Sequence, residues 1–101
     1  MSVTSTTTPD NNEMTIDIKG RFDFSSHQEF RRAYEGLEVK PTSFKVNMKE
    51  TSYLDSSALG MLLLLRDYGG GDKSSISILN CNEEVKKILT ISNFEKLFNI
   101  Q

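Results

Sequence analysis

Tyr53-Leu54-Asp55-Ser56-Ser57-Ala58-Leu59-Gly60 opens the stretch that decides how this chain folds, and Met61-Leu62-Leu63-Leu64-Leu65-Arg66-Asp67-Tyr68 completes it. An aspartate and two serines stand directly before a leucine-rich run. Short oxygen-bearing side chains in that place accept hydrogen bonds from the free amides of a first helical turn. Length and leucine content then predict a helix rather than a strand. Gly69-Gly70-Gly71 ends it, because glycine takes a left-handed cap conformation without steric cost. Apolar residues wrap most of the circumference, so this is expected to be the central, most buried helix, with Leu62 and Leu63 both in the core.

Working outward, Phe44, Val46 and Met48 alternate with Lys45, Asn47 and Lys49, which predicts a strand with one buried face. Met14, Ile16 and Ile18 alternate in the same way, and Gly20 is expected to end that strand, with Phe22 and Phe24 continuing its apolar side into a loop. Ser26-His27-Gln28-Glu29 fits a reciprocal capping box. Phe30, Ala33, Tyr34 and Leu37 then fall on one face of an amphipathic helix that cannot pass Lys40, because Pro41 follows. Downstream, Ile76 and Ile78 alternate with serines as a further strand. Asn82 caps a helix whose first turn holds Glu83 and Glu84 and whose inner face holds Val85, Ile88 and Leu89. Phe94, Leu97 and Phe98 form a last short helix. Strands alternating with helices through right-handed crossovers imply parallel pairing. Residues 1–12 read as a flexible N-terminus or a short edge strand around Val3, and residues 13–101 as one domain.

Composition narrows the function. A chain of 101 residues holds one core. Its net charge of -2 comes with lysines and arginines dispersed along the chain, so neither a nucleic-acid face nor a polybasic membrane anchor is expected. Cys81 is the only cysteine and His27 the only histidine, which leaves no internal disulfide and no thiolate metal site. Met1 to Asn12 is rich in Ser and Thr without an apolar segment, and the longest apolar run, Ala58 to Leu65, is too short to span a bilayer. A cytoplasmic protein is therefore expected. No glycine-rich phosphate loop precedes a helix. His27 reads as a solvated helix residue and Cys81 as a small core residue, so no catalytic residue, cofactor or metal is assigned.

The informative place is Asp55-Ser56-Ser57. On pattern alone these are ordinary capping residues. The same geometry also suits a modification. A helix N-terminus carries free amides and about half a positive charge. Phosphoserine there brings about -1.5 to -2 charge, which the helix tolerates and a docked partner need not.

At this motif the chain resembles the STAS domain family in its single-domain form, the anti-sigma factor antagonists. Gly20-Arg21-Phe22-Asp23 is similar to the family's Gly-x-Leu-Asp element, and Phe44-Lys45-Val46-Asn47-Met48 to its central strand. Tyr53 to Gly60 is similar to the Asp-Ser-Ser/Thr-Gly-Leu-Gly signature, with Ala58 in place of the more usual glycine, and Ile91 to Ile100 to the closing helix. The resemblance implies an α/β fold with a mixed sheet of four or five strands and about four helices packed on one face. It implies that Ser56 is phosphorylated by a serine kinase and anti-sigma factor of the histidine-kinase-like ATPase fold, and that a PP2C-type phosphatase reverses this. The unphosphorylated form binds its partner and the phosphorylated form releases it, with Asp23, Asp55 and Ser57 at the partner-binding edge. An isolated monomer is the simplest state. Two alternatives stay open: a constitutive STAS scaffold or regulator of a non-sigma process such as biofilm formation, and a nucleotide binder, which the missing phosphate loop disfavours.

Overall fold

A computed structural model describes residues 2–101. Met1, the first residue of the expected N-terminal segment, lies outside them. The chain runs β1 (Ser2–Thr7), β2 (Glu13–Phe22), α1 (His27–Tyr34), β3 (Ser43–Leu54), α2 (Ser56–Tyr68), β4 (Ile76–Leu79), α3 (Glu83–Ile91) and β5 (Asn99–Ile100). Single 3-10 turns at Phe24–Ser26, Gly71–Lys73 and Phe94–Lys96 complete it. The expected closing helix is the last of these turns, followed by β5.

The strands lie in sequence order in one mixed sheet. β1 pairs antiparallel with β2, and β2, β3, β4 and β5 pair parallel through the helical crossovers. The alternation explains the layering. Met14, Ile16, Ile18, Phe44, Val46, Met48, Ile76 and Ile78 are all buried under the helices. Their neighbours on the other face are polar and bond to one another: Asn47 donates to Asp17 at 2.7 Å, Asn80 donates to Asn47 at 2.9 Å, and Lys45 pairs with Glu13 at 3.3 Å. One face packs and the other meets water.

Several expectations are corrected. Gly20 does not end β2. It takes φ 86° inside the strand, and β2 continues to Phe22. β3 runs to Leu54, well past Met48, and its register against β2 slips at Asp17/Lys19 and again at Gly20/Arg21. Each slip places an extra β3 residue opposite β2, and such bulges turn side chains at the end of a strand. Phe22 is buried, whereas Phe24 is 77% exposed.

α2 is not wrapped by the core. Ala58, Met61, Leu62 and Leu65 are buried, but Leu63 and Leu64 are 40% and 46% exposed. With helices on only one face of the sheet, α2 has a covered side and an open side. The Ser26–Glu29 capping box does not form either. Ser26 is buried with its hydroxyl accepting from the Asp23 amide at 3.1 Å, and Glu29 reaches instead to the amide of Val3 at 3.3 Å. α1 ends at Tyr34, before Leu37, where the chain turns extended at Glu35 and Gly36 adopts φ 81°.

Candidate functional site

The carboxyl ends of the parallel strands β2 and β3 lie side by side. Each delivers an aspartate as the chain leaves the sheet: Asp23 follows Phe22, and Asp55 follows Leu54. The Asp55 amide donates to the Phe22 carbonyl at 3.3 Å, which holds the two exits together.

Both exits use the same local device. The Asp23 carboxylate accepts from the Ser25 amide at 3.0 Å and the Ser25 hydroxyl at 2.6 Å, capping the 3-10 turn that leads into α1. The Asp55 carboxylate accepts from the Ala58 amide at 2.9 Å and the Ser57 hydroxyl at 2.6 Å, capping α2. An ionised oxygen two and three residues before the donors satisfies amides that the helix leaves free. These bonds hold both carboxyls below the ordinary aspartate value. For Asp55 the Ser57 hydroxyl is the main cause, partial burial opposes it, and the Ala58, Phe24 and Ser57 amides add to it. For Asp23 the Ser25 hydroxyl leads, partial burial opposes it, and the nearby Asp55 charge pushes back against the pull of Arg21. At neutral pH the pair is doubly negative.

Ser56 is the first residue of α2 and is exposed. It is not the cap, because Asp55 is. Ser57 is half-buried with its hydroxyl committed to Asp55. The structure therefore gathers Asp23, Asp55, Ser56 and Ser57 at one end of the sheet; Ser56 is the exposed serine of the two, and the Ser57 hydroxyl is bonded to Asp55.

Sequence reasoning did not pick out the surroundings. The Arg21 guanidinium lies 4.5 Å from the centre of the Tyr53 ring and 3.6 Å from the Asp23 carboxylate, bridging the two exits. Phe24, next in the chain after Asp23, stands out into solvent. Along α2, Gly60 and Leu63 follow Ser56 at helical spacing on the open side. The run of apolar residues hid which leucines face out, and nothing in Arg21-Phe22-Asp23-Phe24 separated a core phenylalanine from an exposed one.

The two nucleophile types near or outside this site have the following surroundings. The partner of the Ser57 hydroxyl is a carboxylate, not an imidazole, and burial pushes the Cys81 thiol up, away from the nucleophilic thiolate. Among the described residues no group of three or more His, Cys, Asp or Glu side chains could hold a metal, and no helix is long and apolar enough to cross a membrane.

The family model described as "Mlab, STAS domain" matches residues 5–99. The chain belongs to the STAS domain family. A STAS-domain containing protein of Pseudomonas aeruginosa (strain UCBPP-PA14) is 55% identical over 100 residues, covering 99% of both chains. Among solved structures, the fold matches the anti-sigma factor antagonist SpoIIAA in its unphosphorylated form with TM-score 0.76 at 16% identity, over 99% of this chain and 87% of that one. Bacillus SpoIIAA in its phosphorylated form matches with TM-score 0.74 at 16% identity, over 99% and 91%. A putative anti-sigma factor antagonist from Thermotoga maritima matches with TM-score 0.82 at 14% identity, over 97% and 84%. The STAS fold of this chain is thus the five-stranded mixed sheet seen in antagonist structures, with three α-helices and 3-10 turns.

Proposed function

We propose that this STAS domain is a phosphorylation-controlled protein-interaction switch of the anti-sigma factor antagonist type, working in a bacterial partner-switching pathway and not as an enzyme. The observation that carries the reading is the exposed Ser56 at the opening of α2, one residue after the aspartate that caps the helix. Because Asp55 already supplies the cap, a group added to Ser56 leaves the cap bonds in place. Phosphate at that hydroxyl meets the positive end of α2, so the fold accommodates it. It also joins Asp23 and Asp55, so the local surface gains about -1.5 to -2 more charge where a partner docks.

The docking surface supported best is the rim around Ser56: Phe24, the Asp23–Arg21–Tyr53 bridge, and the open side of α2 at Gly60 and Leu63. Aromatic side chains and arginine are enriched at protein interfaces. Unphosphorylated protein binds there, and phosphorylation by a serine kinase of the histidine-kinase-like ATPase fold releases the partner through repulsion and bulk. A PP2C-type phosphatase resets the switch. The likeness to SpoIIAA structures named for an unphosphorylated and a phosphorylated form supports the same reading.

The test is labelling of the purified chain with radioactive ATP by serine kinases of that fold, comparing wild type with Ser56→Ala and Ser57→Ala. Label is expected on wild type and Ser57→Ala and absent from Ser56→Ala. Undiminished label on Ser56→Ala overturns the site. Partner binding retained by both the phosphorylated protein and Ser56→Asp would favour a constitutive scaffold instead.

A further inference from the structure

β1 is the outer strand of the sheet, paired on one side only. Outer strands offer a row of unpaired amides and carbonyls to any passing strand, and proteins blunt them with charged residues, proline, bulges or covering elements. β1 has none of the first three. Its sequence is Ser-Val-Thr-Ser-Thr-Thr, and its register against β2 is regular from Ser2↔Lys19 to Thr7↔Met14.

The direction of each backbone group follows from the pairing. In an antiparallel pair, the residues that exchange bonds alternate with residues whose N–H and C=O point away. The Thr8 amide donates to the Glu13 carbonyl at 2.9 Å, so the even residues of this hairpin face β2. The backbone amides and carbonyls of Val3, Ser5 and Thr7 therefore point outward. The Val3 amide confirms the phase, because its partner is the Glu29 carboxylate on α1, 3.3 Å away. The carboxylate occupies the place that a carbonyl of an added strand would take.

We propose that the outer edge of β1 is a strand-pairing surface for a second copy of this chain, and that Glu29 is the gate holding it shut. A second copy is favoured over a foreign strand because the edge complements itself. About a two-fold axis at Ser5, antiparallel pairing sets Val3 opposite Thr7 and Ser5 opposite Ser5, so every outward amide meets an outward carbonyl. β1 carries no charged side chain, so the two strands approach without like-charge repulsion inside the pair. The Ser and Thr side chains suit cross-strand hydrogen bonding. The Glu29 carboxylate stands in the way, because it competes for the Val3 amide in the monomer.

The experiment is sedimentation velocity over a concentration series with wild type, Glu29→Ala, and Glu29→Ala combined with Ser5→Pro. Glu29 is exposed and alanine suits a helix, so the first variant should fold. Glu29→Ser, also unable to reach Val3, duplicates it, and circular dichroism checks both. Proline at Ser5 removes an outward amide while leaving the bonds to β2, so it closes the edge without the gate. The expected result is dimerisation at least about tenfold tighter in both Glu29 variants than in wild type, with the added Ser5→Pro returning the wild-type state. Glu29 variants that self-associate no more than wild type overturn the proposal. So does self-association that survives Ser5→Pro.

Discussion

Gly60→Ala should make this protein more stable. Gly60 lies inside α2, past its first turn, in a helical conformation, and a Cβ built on it meets nothing within 4 Å. The local structure therefore has no need for glycine at that place. Glycine in a helix interior costs roughly 0.5–1 kcal/mol relative to alanine, chiefly through the freedom its backbone loses on folding. The new methyl lands in open space, so no clash offsets the gain and little burial adds to it. For a domain of this size about 1 kcal/mol corresponds to roughly 4–8 °C, so a rise in Tm of about 2–8 °C is expected. Urea unfolding followed by circular dichroism should show a higher midpoint at unchanged slope. Gly70→Ala is the control, because Gly70 sits at φ 115° and alanine there is strained. A Gly60→Ala midpoint equal to or below wild type would refute the reasoning, since it would mean that the side of α2 below Ser56 is not open. An open glycine one turn from Ser56 lets a partner backbone come close to the helix, so the same substitution is expected to weaken partner binding while strengthening the fold.

Leu62→Ala should cost about 2–5 kcal/mol because the side chain is fully buried, while Leu63→Ala, at 40% exposure, should cost less than about 1 kcal/mol; equal losses in chemical denaturation would contradict the two-sided α2. Asp55→Ala removes the α2 cap and should cost about 1 kcal/mol at neutral pH. Its pH dependence has a definite sign: the folded carboxyl titrates below the unfolded one, so the stabilisation is present above the unfolded value and is lost as pH falls through the folded value. The acid limb of the stability curve should therefore be shallower in Asp55→Ala. Ser57→Ala deletes the main cause of the depressed Asp55 value, and an NMR titration should show that carboxyl moving back up toward ordinary aspartate. Thr51→Val removes a buried hydroxyl whose 2.9 Å bond to the Ile18 carbonyl ties the bulged part of β3 to β2, and thermal unfolding should report a loss of about 1 kcal/mol.

Much of this was readable from the chain because it is encoded locally. The period-two pattern of Met14, Ile16, Ile18 and of Phe44, Val46, Met48 marks two strands and the face each buries. Asp55 before a leucine-rich run marks where α2 begins, since capping acts over a span of a few residues. The order of those elements leads to a parallel sheet. The remainder depended on which surfaces meet. Leu62 and Leu63 are chemically equal, and only the placement of helices on one side of the sheet makes one core and the other surface. Phe22 and Phe24 are separated in the same way, by a 3-10 turn that Asp23 caps. Asp23 and Asp55 are far apart along the chain and adjacent in space, because parallel strands deliver their exits to the same end of the sheet. Glu29 faces a strand edge rather than its own helix start, because the antiparallel return of β1 brings an unpaired amide within its reach. Local chemistry wrote the elements into the sequence, and the pairing of distant backbone decided which side chains stand together and which remain in water.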